Sequence, residues 1–305
     1  MRILVLGGTY FLGRSFVKAA EARGDEVFFI NRGNRREILS ESELRNTFFL
    51  DRHDIKALSE VDPGHIDVLV DFCAYNEGDI RLILENAGFS IGQYIFVSTT
   101  DVYRRGTGKL PVTEDAELES RDFGGEAGSY ILGKVALEKE VRKLISEKYK
   151  GVHFTVIRPA FIYGENNYAP REGIYFKWII GAGQILSPSD SDGSFQMAYV
   201  KDVAEAIYLC CNNPDAFDRA FNVCSPKRTG YKEFEEALLE ASQEVLGKGF
   251  ERIPVDVATI EEKGIPLPFP LRKEESEYYD AGSIISLGAS FTTLSEGLKQ
   301  TMKSL

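Results

Sequence analysis

Arg2-Ile3-Leu4-Val5-Leu6-Gly7-Gly8-Thr9-Tyr10-Phe11-Leu12-Gly13 opens the 305-residue chain, and its reading decides the fold class. The short apolar run ending at Leu6 reads as a strand, the glycines that follow as a tight turn, and Arg14 to Arg23, closed by Gly24, as a helix. The next apolar run, Glu26 to Ile30, completes a βαβ unit of about thirty residues. In that setting a glycine turn places a pyrophosphate on a helix N-terminus. Gly7, Thr9, Phe11, Leu12 and Gly13 are therefore candidate cofactor contacts. The middle glycine of both dinucleotide templates falls on Tyr10. Either the Tyr10 side chain points away and packs over the adenosine side, or it weakens cofactor binding.

Downstream, the end of the second strand sorts cofactors, because a carboxylate there holds a ribose 2′-hydroxyl and an arginine accommodates a 2′-phosphate. This chain carries Asn31-Arg32-Gly33-Asn34-Arg35-Arg36. With no carboxylate in place and three arginines close by, NADP is favoured over NAD, through Asn31, Arg32 and Arg36; a solvated basic loop is the alternative. Phe48 to Leu50 reads as a third strand ending in the polar cluster Asp51-Arg52-His53-Asp54, with Asp51 and Arg52 suited to an adenine edge. Val68 to Tyr75 reads as the fourth strand, with Phe72, Cys73 and Ala74 at the carboxyl end, where such sheets bind ligands. Tyr94 to Val97 is the fifth, running into Ser98-Thr99-Thr100-Asp101-Val102-Tyr103. Hydroxyls at a strand end either bind a substrate oxygen or cap the turn.

Tyr130-Ile131-Leu132-Gly133-Lys134 places a phenol and an ammonium on one face of a helix. An ammonium beside a phenol favours the phenolate, so a tyrosine with a reference pKa of about 10 becomes a usable acid or base near neutrality. The same spacing also arises in helices whose tyrosine is half buried and whose lysine is solvated; only the flanking motifs separate the two readings.

Composition sets outer bounds. At 43% hydrophobic and 27% charged residues, the chain is an ordinary globule, large enough for one α/β unit or two lobes. A formal net charge of −11 opposes a surface built to neutralise many phosphates, so nucleic acid is a disfavoured partner, a local basic patch aside. Cys73, Cys210, Cys211 and Cys224 lack metal-ligand spacing and suit buried, reduced thiols; the three histidines, His53, His65 and His153, are too scattered for a zinc site. No metal is expected. No apolar run reaches membrane-spanning length and the first thirteen residues lack a signal peptide's features, so the expected location is the cytoplasm.

The turn at 7–13, Ser98-Thr99 with Val102-Tyr103, Tyr130-x-x-x-Lys134 and Arg158-Pro159-Ala160-Phe161-Ile162-Tyr163-Gly164 stand in the order of the extended short-chain dehydrogenases. Tyr199 to Ala204 and Ala220 to Val223 extend the match over nearly the whole chain. The sequence resembles the NAD(P)-dependent epimerase/dehydratase branch of that superfamily. The resemblance implies a catalytic set of Thr99, Tyr130 and Lys134. Tyr130 exchanges the substrate hydroxyl proton, Lys134 lowers its pKa and holds the nicotinamide ribose, and Pro159 and Ile162 join the cofactor contacts. In the family's dehydratases an Asp-Glu pair follows the threonine; here Thr100-Asp101 follows, which argues against a sugar 4,6-dehydratase while leaving Asp101 to assist proton transfer. The glycine turn with its bulky centre, Asn31-Arg32-Gly33 and Asp71 to Tyr75 look most like the subgroup that includes chloroplast stem-loop-binding proteins. That subgroup supplies a second reading, an RNA-binding or regulatory protein with a vestigial catalytic site. The resemblance also implies a homodimer paired through helices.

The implied architecture is a Rossmann-type doubly wound parallel sheet over 1–165, rejoined by 198–225, with a smaller substrate lobe from 166–197 and 226–305. A nucleotide sugar or a comparable hydroxy or keto compound would lie between them. Tyr75, Thr100 and Asp101 at the strand ends are candidate substrate contacts, as are Asn166 and Arg171 in the loop Gly164 to Arg171, although an exposed loop explains those two equally well. Gln196 stands where it could face the same cleft. Ser187 to Ser194 reads as a loop, Tyr231 to Leu246 as a core-packed helix, Ile253 to Val255 as a short strand, Ile265 to Pro270 as an irregular connector, and Leu294 to Met302 as the last helix.

Overall fold

A computed structural model describes residues 1–106, 109–169 and 171–305; Pro170, inside the loop read from the sequence, lies outside the described residues. In chain order the first half runs Arg2–Leu6 (β1), Phe11–Glu21 (α1), Glu26–Asn31 (β2), Glu41–Arg45 (α2), Thr47–Phe49 (β3), Ile55–Ser59 (α3), Ile66–Asp71 (β4), Asp79–Asn86 (α4), Ile91–Val97 (β5) and Gly125–Lys148 (α5). The second half runs His153–Pro159 (β6), Phe161–Tyr163 (β7), Glu172–Ala182 (α6), Gln184–Pro188 (β8), Met197–Tyr199 (β9), Val200–Cys210 (α7) and Arg219–Val223 (β10). Tyr231–Leu246 (α8), Glu251–Val255 (β11), Val257–Glu262 (α9), Gly282–Ser286 (α10) and Leu294–Lys303 (α11) complete it.

Seven strands form one sheet in the order β3-β2-β1-β4-β5-β6-β10, every neighbouring pair parallel. The apolar runs follow from that arrangement, since a parallel sheet is covered on both faces and successive side chains alternate between them. Ile3, Val5, Val27, Phe29, Val68 and Val70 enter one core with Phe16, Val17 and Ala20 of α1 and Val203 and Ile207 of α7. Leu4, Leu6, Phe28, Ile30 and Leu69 enter the other with Ile80 and Ile83 of α4 and Leu137, Val141 and Ile145 of α5. Strand order reverses between β1 and β4, which opens a crevice at the carboxyl ends of these strands.

Two small parallel pairs, β7 with β9 and β8 with β11, lie outside the main sheet. Two expectations change here. The fourth strand ends at Asp71 rather than Tyr75, because the Asp71 carboxylate accepts the Cys73 backbone N–H at 2.9 Å and turns the chain. Ser187 and Pro188 belong to β8 rather than to a loop, paired with Pro254 and Val255. Among the described residues no helix is long and apolar enough to cross a membrane.

Candidate active site

At the crevice the glycine turn is built for close approach. Gly7 has φ +87°, a region that penalises a side chain, and a Cβ at Gly13 would collide with the Gly7 carbonyl oxygen, so α1 starts hard against the turn. The first N–H groups of a helix have no intrahelical acceptor, and α1 begins two residues after Thr9, which lines the crevice, so its N-terminus is a candidate anion site. Gly7, Thr9, Asn31, Arg32, Asp51, Arg52, Cys73 and Tyr75 line one cavity together. Asn31 Oδ1 accepts the Gly33 N–H at 2.9 Å, and Asn31 Nδ2 is buried without an acceptor among the described residues. Arg52 is largely committed elsewhere. Its Nη1 and Nη2 donate to Asp71 at 3.0 and 2.8 Å and Nη2 also to the Asp79 carbonyl at 2.8 Å, leaving only a buried Nε without a partner. Two orphaned donors in one cavity, beside a helix N-terminus, fit the acceptor-rich adenosine end of a dinucleotide. Arg36 stacks at 3.8 Å over Phe49 instead of lining the cavity. Phe72 packs on Phe16, with ring centres 5.7 Å apart. Tyr10 has an extended backbone that needs no glycine, and its ring lies outside the cavity, between the Arg35 guanidinium at 4.1 Å and the Tyr168 ring at 5.7 Å. Phe11 and Leu12 are buried in α1 and present only their backbone to the turn.

At the other end of the crevice stands Lys134 of α5, 2% exposed, donating from Nζ to the carbonyls of Ala74 and Val97, both at 2.9 Å. Those carbonyls lie just past β4 and at the end of β5, so the lysine ties helix to sheet at the crevice floor. Burial depresses its pKa to about 8, with Asp71 pulling the other way. Tyr130, one turn earlier, is partly exposed, and the Lys134 ammonium is 5.9 Å from its ring centre and 4.8 Å from that of Tyr75. The expected lowering of the Tyr130 pKa is not found. Burial, then the Asp101 carboxylate and Tyr168, push it up to about 12, against Arg171 and the Thr99 hydroxyl. The lysine is turned onto two backbone carbonyls and contributes little there. Thr99, nearly buried, caps the short turn after β5, its Oγ1 accepting the Asp101 N–H and donating to the Asp101 carboxylate, both at 3.2 Å. Among the described residues no group of three or more His, Cys, Asp or Glu side chains is placed to hold a metal.

Residues 77–224 match the NAD dependent epimerase/dehydratase family, and these are the residues that carry Thr99, Tyr130 and Lys134. Within that segment the chain is similar to the family. Among curated proteins, the chain is 27% identical over 252 residues to the chloroplast stem-loop binding protein of 41 kDa b from Arabidopsis thaliana, covering 79% of this chain and 63% of that one. It is 25% identical over 187 residues to a Streptomyces dTDP-4-dehydro-6-deoxy-D-allose reductase, covering 53% and 56%. The chain thus spans about three fifths of the length of the curated relatives it matches. Among solved structures, Thermus thermophilus UDP-glucose 4-epimerase in complex with NAD superposes with a TM-score of 0.72 at 20% identity, covering 100% of this chain and 98% of that one. UDP-glucuronic acid 4-epimerase from Bacillus cereus, in complex with UDP-glucuronic acid and NAD, gives 0.73 at 16%, with the same coverage. Both share the fold.

Next to Thr99 is a second pocket, lined by Thr99, Thr100, Asp101, Arg105, Ala160, Phe161, Arg171 and Tyr279, while Tyr130 faces a neighbouring hollow that shares Asp101 and Arg105. Asp101 is paired with Arg105 at 2.6 Å. Arg171 donates to the Ile162 carbonyl at 2.8 Å and stacks on Phe161 at 5.2 Å, and has no carboxylate within ion-pairing distance among the described residues. Asn166 is exposed in a left-handed turn (φ 62°) and does not line the pocket. Its neighbour Asn167 instead ties the loop down, donating to Glu172 Oε2 at 2.9 Å. Gln196 lines the pocket but is buried, with its amide bonded to the backbone of Ser225 and Tyr279. Pro159 closes β6 and Ile162 sits in β7; the pocket wall between them is Ala160 and Phe161.

Behind the site is a buried network that the sequence reading did not single out. Glu138 continues the Tyr130–Lys134 stripe by one more helical turn and is 0% exposed; Arg158 is 1% exposed. Arg158 Nε and Nη2 clasp the carboxylate at 3.0 and 2.6 Å, and Nη1 reaches the Tyr103 hydroxyl at 2.7 Å. Ser98 Oγ donates to Glu138 at 2.7 Å and Tyr103 to Asn222 at 2.6 Å, so the network ties α5 to the chain just after β5, to β6 and to β10. The available signal was the stripe itself, a carboxylate at i+4 from the lysine on the face that must be buried.

Proposed function

We propose that this chain is an NAD(P)-dependent oxidoreductase or epimerase that moves hydride at a hydroxyl or keto carbon of a nucleotide sugar or similar small molecule. The observation that carries the reading is the Tyr130–Lys134 pair on α5, with Asp101, Arg171 and the Thr99 hydroxyl close enough to act on the Tyr130 phenol and Lys134 held by the Ala74 and Val97 carbonyls. When bound, the nicotinamide supplies the hydride acceptor or donor. Lys134 stays charged up to about pH 8 and keeps one donor free of its two carbonyl bonds, suited to a ribose hydroxyl. Tyr130 is a protonated phenol at neutral pH, ready to donate to a keto oxygen as it is reduced. Thr99 orients that oxygen beside it. Arg171, a half-buried cation with no ion-paired carboxylate among the described residues, receives an anionic group of the substrate. The relatives named for UDP- and dTDP-sugars make a nucleotide sugar the first substrate class to test. Arg32 at the mouth of the adenosine cavity and the unpartnered Asn31 Nδ2 support a preference for NADP. Residues 166–197 and 226–305 would form the substrate lobe of a cytoplasmic homodimer.

The test is Tyr130→Phe, assayed with UDP-glucose, UDP-glucuronate and a dTDP-4-keto-6-deoxyhexose in the presence of NADP(H). The variant should lose turnover by about 10²- to 10⁴-fold while still binding NADPH. Turnover at the wild-type rate would remove Tyr130 from the chemistry. The stem-loop binding protein among the relatives motivates a second reading as an RNA-binding protein. The net charge of −11 ranks it lower, and tight, salt-resistant RNA retention in a filter assay would reverse that ranking.

A further inference from the structure

We propose that Tyr168 is a strap that closes over the dinucleotide crevice by stacking on Tyr10, so that cofactor leaves only when this contact opens. The inference rests on the dinucleotide reading above. Tyr168 is 69% exposed, yet its ring stacks on Tyr10, the residue that caps α1 beside the glycine turn, at 5.7 Å with 27° between planes and meets Phe11 edge-on at 5.8 Å. The Arg35 guanidinium also packs on Tyr10, 4.1 Å from the ring centre. Tyr10 thus joins an arginine from the stretch after β2 to an aromatic ring on the loop between β7 and α6. Tyr168 is also near enough to Tyr75, which lines the adenosine cavity, and to Tyr130 to help raise the pKa of each.

The base of the loop is rigid. The Gly164 N–H donates to Glu172 Oε1 at 3.0 Å, Asn167 Nδ2 to both oxygens of Glu172, and Arg171 to the Ile162 carbonyl. The Tyr168 ring therefore projects from a fixed root toward the glycine turn, and the contact that opens is the aromatic stack itself. The same contact explains the large residue at position 10. A glycine would leave the strap nothing to stack on, while the extended backbone of Tyr10 carries a side chain at no steric cost. Slow exchange of cofactor suits a cycle that returns hydride to the same molecule, because such a cycle needs no fresh cofactor between turnovers.

The experiment measures dissociation of NADPH from the purified full-length chain, by nicotinamide fluorescence after a chase with excess NADP. Tyr168→Ala should release NADPH about tenfold faster, the effect of losing one stacked aromatic pair. Tyr168→Phe should keep the wild-type rate, and Tyr10→Ala/Tyr168→Ala should release no faster than Tyr168→Ala alone. Binding that appears only in Tyr168→Ala also supports the strap. Release from Tyr168→Ala at the wild-type rate, with affinity intact, overturns it. If neither the wild type nor the variant binds NADPH or NADH, the dinucleotide reading itself fails and the strap falls with it.

Discussion

Arg158→Met is the perturbation whose size the structure specifies best. Wild-type Arg158 makes four hydrogen bonds, two to Glu138, one to the Tyr103 hydroxyl and one to the Glu114 carbonyl, all between 2.6 and 3.0 Å. Its loss leaves the Glu138 carboxylate 0% exposed with only the Ser98 hydroxyl donating to it. Removing one partner of such a buried pair costs about 3–5 kcal/mol, whereas replacing both by apolar side chains is often nearly neutral. Urea unfolding should therefore show a large loss in Arg158→Met and a smaller one in Arg158→Met/Glu138→Leu, a coupling of opposite sign to additivity. A single-variant loss under about 1 kcal/mol, or a double variant whose loss equals the sum of the singles, would refute the reasoning.

Two further outcomes follow from the adenosine side. Arg32→Ala should weaken NADPH binding by about tenfold or more and NADH binding little, since only the former carries a 2′-phosphate for the guanidinium; equal losses by fluorescence titration would remove the basis for the cofactor preference. His53 bridges Asp51 and Asp79 at 2.9 Å on both ring nitrogens, and these bonds raise its pKa. A raised folded pKa gives stabilisation that is complete below the unfolded value of about 6.5 and fades as pH rises through the folded one. His53→Gln should therefore lower the melting temperature more at pH 5.5 than at pH 8.5, and an equal drop at both would show that the ring does not titrate in this bridge.

Much of the fold was legible because its signals are local. The alternation of Ile3 and Val5 with Leu4 and Leu6 between two cores makes β1 apolar throughout, and Gly7 and Gly13 are glycines for reasons of backbone angle and contact that any such turn imposes. Helix α8 spans the same residues, Tyr231 to Leu246, that the apolar spacing marks. What the sequence hid depends on tertiary direction. Asp71 to Tyr75 is as apolar as a strand, and only the Asp71 carboxylate folding back on the Cys73 N–H ends it. Glu138 stands among Lys139, Glu140, Arg142 and Lys143, so its burial is invisible until β6 supplies Arg158.

The Tyr130 pKa shows why proximity in sequence was not enough. The i, i+4 spacing does place phenol and ammonium on one helix face, and the sign of the shift then rests on where the ammonium points. Lys134 Nζ is held by Ala74 and Val97, 5.9 Å from the ring centre, while Asp101 comes from a different element and sits on the phenol side. A desolvated phenol near a carboxylate keeps its proton, and a lysine whose own pKa is down near 8 exerts its full charge only below that value. The Asp101–Arg105 pair is therefore part of the tuning of Tyr130. Drawing Asp101 away, or adding a positive charge beside the phenol, moves the tyrosine toward the phenolate.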